Sequence, residues 1–237
     1  KRHNVHSKLM SWLALRRGAQ LAPLFGEQAV QARWQQAADE LHAEICVRGL
    51  DRTGKRFVAA YDHEHPDASL LMLPIHGFLP PSDHRVLRTV EWIRAELGEG
   101  PYLYRYRADD GVGGDEGAFV LCGFWLAEVL AMAGQVDEAQ RVFVAHTEAS
   151  NHLGLLSEEI EPIAGRLLGN FPQAFSHLGL INAAARIDLA LRLRDEGSPR
   201  VPEVEIERWG ACRTHMRWRF AASRCCGSAP TPWSLRR

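Results

Sequence analysis

Apolar residues recur at helical spacing along most of this chain, and glycines cut the pattern into helix-sized pieces. Over residues 7–25 the apolar positions are Leu9, Trp12, Leu13, Leu15, Ala19 and Leu21, with Gly26 as the stop. Residues 28–48 repeat the stripe through Val30, Trp34, Ala37, Leu41 and Ile45, up to Gly49. Steps of three and four place one apolar stripe on each helix, which must be buried against another element. Two such helices joined by a short turn predict an antiparallel hairpin. Farther on, an apolar run at 69–79 predicts a helix cut off by Pro80 and Pro81, because proline lacks an N–H and restricts the residue before it. A short extended piece is expected at 56–61. Ser82 or Asp83 is placed to cap a helix that Gly98 ends.

Residues 118–133 are apolar on every side and predict a buried helix, whereas 137–150 are amphipathic. A last long helix is expected over 172–194, with Pro172 in its first turn. Seven or so helices with alternating short and long loops make an all-α fold of stacked hairpins, either a solenoid or a closed α/α barrel. Residues 1–197 carry this pattern and residues 198–237 do not. The tail has no Asp or Glu from Arg208 to Arg237 but holds Cys212, Cys225 and Cys226, and it reads as disordered or foreign to the fold.

Charge narrows the function. With 28 Lys and Arg against 29 Asp and Glu, the chain lacks the basic footprint of a nucleic-acid binder. No run reaches the roughly 20 apolar residues of a membrane span. Five cysteines without paired spacing suggest a reducing, cytoplasmic setting. Cys212, His215, Cys225 and Cys226 are poorly spaced for a metal, and His63-Glu64-His65 reads as a polar turn, so no metal site is expected.

Two loops hold the chemistry. Glu158, Glu159 and Glu161 crowd a segment bracketed by Gly154 and Gly165, flanked by Asn151, His152, Asn170, Phe171, Gln173, Phe175, Ser176 and His177. A second loop from Tyr102 to Glu116 mixes Tyr104, Arg105, Tyr106, Arg107, Asp109, Asp110 and Asp115. Carboxylates, forked hydrogen-bonding groups and aromatic faces together suit a sugar pocket, and both loops precede apolar helices, so they should open on one side of the fold. A solvated acidic loop is the plainer reading of either one.

Four blocks resemble glycoside hydrolase family 15, the glucoamylase and trehalase-like group: HSKLMSWLALRRG from His6, DASLLMLPIHGFLP from Asp67, YRYRADDGVGGDEGAFVLCGFWLAEVLAMAG from Tyr104 and NHLGLLSEEIEPIAGRLLGNFPQAFSHLGLINAA from Asn151. The resemblance implies an (α/α)6 barrel, incomplete here, that cleaves α-linked glucosides, trehalose or α-1,4-gluco-oligosaccharides, with inversion and from the chain end. It implies that Glu158 is the general base, that Arg107 and Glu116 lie in the substrate-contacting loop, and that Ser176 and His177 close the pocket floor. The family's acid falls in a Trp-Glu motif ahead of the block at His6, so residues 1–197 are expected to be the C-terminal part of a catalytic domain, inactive alone. The expected partner is a small carbohydrate; association into oligomers is compatible with the pattern. No cofactor is required by the sequence, and a phosphate or magnesium dependence is left open. A different reading is a tetratricopeptide-like binding module around LAEVLAMAGQVDEAQRVF, but the copy due about 34 residues away is absent from both flanks.

Overall fold

A computed structural model describes residues 2–107 and 116–197. Helices α1 (Val5–Leu21) and α2 (Gln28–Arg48) form the expected hairpin, turned by a 3-10 segment, Ala22–Phe25, that Gly26 ends with φ +75°. The hairpin is tight because Gly18 has no side chain: a Cβ there would lie 2.8 Å from the Trp34 ring. Leu9 and Ile45 are fully buried between the two stripes.

The segment 57–61 makes isolated bridges, Leu50 with Phe57 and Asn4 with Ala60, and no regular strand. The expected helix over 69–79 is also shorter than its apolar run. A 3-10 turn, Ala68–Leu71, leads into α3 (Met72–Ile75), which stops at His76 and Gly77, the latter at φ +67°. Its apolar residues serve burial and need no helical period: Leu70, Leu71, Leu73 and Phe78 are all core. Asp83 caps α4 (His84–Leu97) by accepting from the Arg85 N–H at 2.8 Å.

After the hairpin β1 (Gly98–Glu99) with β2 (Tyr102–Leu103), the chain reaches β3 (Ala118–Phe119) and then α5 (Val120–Met132). As its composition demands, α5 is buried on nearly every side, packed by α6 (Val136–Glu148) and α7 (Ala174–Asp195) and touched by α3. The expected start of α5 at residue 118 gives way to β3 because Ala118 and Phe119 pair with β4 (Glu159–Ile160), which pairs in turn with β5 (Leu167–Leu168). Pro172 does not open α7. Gln173 caps that helix in an extended conformation, its own N–H held by the Leu156 carbonyl at 2.9 Å. The residues 108–115 and 198–237, including Asp109, Asp110, Asp115, Cys212, His215, Cys225 and Cys226, lie outside the described residues.

Candidate active site

The three-stranded sheet of β3, β4 and β5 brings the two chemical loops together. Gly117, next to Glu116, donates its N–H to Glu159 Oε2 at 2.9 Å, and the Val120 N–H donates to the Glu158 carbonyl at 3.0 Å. Neither contact is local in sequence. Each ties the start of α5 to the acidic loop.

From the other side the loop is held by the approach to α7. Leu156 and Ser157 are fully buried, and residues 156, 157 and 158 each make a backbone hydrogen bond to that segment. Ser176 donates its hydroxyl to the Ser157 carbonyl at 2.7 Å. His177 accepts the Leu156 N–H at Nε2, 3.3 Å, while Nδ1 donates to the Gln173 carbonyl at 2.7 Å; this pair of bonds defines the Nδ1–H tautomer. The Glu158 N–H reaches the Asn170 carbonyl at 2.9 Å. Ser176 and His177, expected at the floor of the pocket, are thus engaged by the backbone that carries Glu158. They position the loop.

The three acids divide by environment. Glu158 is half-buried, and its Oε2 accepts from the Asn170 N–H at 3.0 Å and from Asn170 Nδ2 at 2.8 Å. Burial pushes the Glu159 carboxyl up; the Gly117 N–H opposes it, and the charges of Glu116 and Glu158 add to the rise. Glu161 is held down by the N–H groups of Ile163 and Ala164, which its carboxylate accepts in a turn of its own. Of the three, Glu161 has a structural task and Glu159 faces the β3 loop. Glu158 remains as the candidate to meet a ligand.

The second loop is more dispersed. Arg107 is exposed, lies 4.5 Å from the Tyr104 ring and reaches Glu99 at 3.4 Å. Glu116 is exposed at the edge of the described residues. Arg105, two residues before Arg107, is better fixed: its Nε donates to Asp67 at 2.7 Å and its guanidinium lies 6.0 Å from the Trp125 ring. Burial would lower Arg105, but Asp67 outweighs it and the guanidinium is held above its usual range. Burial and the nearby Arg105 hold His6 below its usual range. Asp67, Arg105 and His6 come from three separated segments. Sequence reasoning did not single out Asp67; the signal that could have found it is an Asp just before a helical turn, and Asp67 does accept from the Ser69 N–H at 2.7 Å.

The sequence model of glycosyl hydrolases family 15 matches residues 1–185. The chain belongs to that family. Within it, the chain is 46% identical over 188 residues to a trehalase of Mycobacterium tuberculosis, covering 78% of this chain and 28% of that protein. It is 42% identical over 191 residues to a trehalase of Thermoplasma volcanium, covering 80% of this chain and 31% of the relative. The chain therefore spans about a third or less of the family 15 relatives it matches. Among solved structures, a glycosidase variant in complex with glucose superposes with a TM-score of 0.68 at 21% identity, over 79% of this chain and 53% of the other. A bacterial glucoamylase complexed with acarbose gives 0.63 at 16% identity, over 88% and 36%. The fold is that of the family 15 α/α barrels.

Proposed function

We propose that this chain carries the base side of an inverting glycosidase acting on α-linked glucosides, with trehalose the first substrate to try. The observation that supports it most is the setting of Glu158: a carboxylate anchored through Oε2 by two N–H donors of Asn170, on a loop held at both ends, with Oε1 outside that clamp. Inversion needs one carboxylate to activate water on the face of the sugar opposite an acid that protonates the leaving oxygen, the two standing roughly 6.5–9.5 Å apart. Glu158 Oε1 would take the proton from that water. The acid we assign to the Trp-Glu motif that the family carries ahead of the block at His6. Two carboxyl groups and water complete this chemistry without a cofactor.

Trehalose is favoured because the two trehalases named above match at 46% and 42% identity. Arg105, fixed by Asp67 beside Trp125, offers N–H donors to sugar hydroxyls. Arg107 and Glu116 are kept as groups of the same substrate-facing loop. In the full-length protein, Glu158→Gln should lower trehalose turnover at least the roughly hundredfold expected when acid–base catalysis is lost. Proton NMR of the first products from trehalose should show α- and β-glucose in equal amounts, the β anomer from the sugar that water attacks and the α anomer from the one that leaves. Unchanged turnover in that variant, or α-glucose without the β anomer at the outset, removes Glu158 from the role of base.

A further inference from the structure

Asn170 closes a ring of hydrogen bonds with the proposed base. Its carbonyl accepts the Glu158 N–H at 2.9 Å, and its own N–H and its side-chain amide both donate to Glu158 Oε2, at 3.0 and 2.8 Å. The neighbouring glycine makes the approach feasible. Gly169 sits at φ +69°, and a Cβ there would lie 2.9 Å from both Glu158 Cβ and Glu158 Oε2. The Gly169-Asn170 turn is therefore shaped around one rotamer of one carboxylate.

We infer that Asn170 is a positioning residue for the base: it fixes Glu158 Oε2 and thereby directs Oε1 at the attacking water. The inference rests on the reading of Glu158 as base. Oε2 is engaged by both N–H donors of Asn170, which leaves Oε1 outside the clamp as the oxygen to take the proton from water. Holding one oxygen also restricts the carboxylate plane, and loss of such alignment costs rate more than affinity. Asn170 touches neither water nor sugar in this scheme. Its whole effect passes through Glu158.

The isosteric change Asn170→Asp isolates the side-chain donor, since shape and backbone N–H stay while an N–H donor becomes a charged acceptor facing Oε2. In the full-length protein, trehalose kcat should fall at least about tenfold with KM within about threefold. The acidic limb of the kcat profile should move to higher pH, because a like charge beside Glu158 raises its pKa. Asn170→Ala should show the same signs more weakly. Combined with Glu158→Gln, Asn170→Asp should slow the enzyme no further than Glu158→Gln alone, the non-additivity expected of residues acting as a unit. Unchanged kcat and pH limb in a folded Asn170→Asp enzyme overturns the inference, as does a rise confined to KM, or a full additional loss in the Glu158→Gln background. Should Asn170→Asp fail to give a cooperative melt, Asn170→Ala is judged by the same three readouts. Failure of the base assignment itself is separately visible, as unimpaired turnover in Glu158→Gln alone.

Discussion

A single missing side chain decides the geometry of the proposed base. At Gly169 the backbone is left-handed, with φ +69°, a region that costs any other residue steric strain. The same position leaves no room, because a methyl group would press on Glu158 Cβ and Oε2 at 2.9 Å. Gly169→Ala should accordingly cost about 1–3 kcal/mol of stability, shown as a lower melting temperature, and should lower kcat by tilting Glu158 away from Asn170. A variant that melts and turns over like the parent would mean the turn can move without disturbing the carboxylate. Residues that look chemical can equally be structural. Ser176 and His177 read as ligand-facing in a list of polar groups, yet both side chains end on the backbone of 156–157 and 173.

At the scale of helices, Glu128 of α5 and His146 of α6 are both buried and titratable, and the two work against each other. Burial pushes Glu128 of α5 up from 4.5 to about 7, with Arg186 of α7 pulling it back. The folded state holds that proton more tightly than the unfolded chain, so the stability Glu128 contributes is full below 4.5 and is lost as pH rises toward 7. His146 of α6 is the reverse case. Its ring is buried over Gly123, and burial pushes it down from 6.5 to about 4, against the Val142 carbonyl, which accepts from Nδ1 at 2.8 Å. Its contribution is present above 6.5 and lost as pH falls toward 4. Each slope is at most about 1.4 kcal/mol per pH unit, and between pH 4.5 and 6.5 they cancel. Glu128→Gln should unmask the histidine: the variant should melt higher than its parent at pH 7.5, and that advantage should shrink steadily as pH drops to 4.5. A melting-temperature difference that is flat across this window would show that Glu128 does not titrate there.

For the whole molecule the relevant fact is how much of a barrel the chain contains. It spans about a third or less of its trehalase relatives, and α7 presents an exposed apolar row, Phe175, Leu178 and Ile181, at steps of three. In a complete α/α barrel such a row is covered by neighbouring helices. Uncovered, contiguous apolar surface favours association. The 237-residue chain purified by itself should bind a hydrophobic dye and self-associate, and should release no glucose from trehalose or maltose. Hydrolysis by this chain alone would place an acid within it, with Glu116, whose neighbour Gly117 is bonded to Glu159, as the first residue to replace.

Apolar patterning found α1, α2, α5, α6 and α7, and the cap and stop signals around Asp83 and Gly98 found α4, since these signals hold whatever the helix packs against. It failed where burial and helicity part company. Residues 69–79 are apolar because Leu70, Leu71, Leu73 and Phe78 are core, and only the packing shows that the backbone there is two short turns. The ends of helices were lost for a related reason: Ala118 and Phe119 join β4, and Gln173 answers the Leu156 carbonyl, both commitments to distant strands that local propensity does not see. The acidic loop was legible in the sequence as a cluster of carboxylates between glycines, and it was the resemblance to family 15 that pointed to Glu158 within it. That Asn170 clamps it, that Glu159 turns toward Gly117, and that Ser176 and His177 serve the loop were decided by tertiary structure alone, because a hydrogen bond depends on where the chain returns and not on which residue types lie nearby.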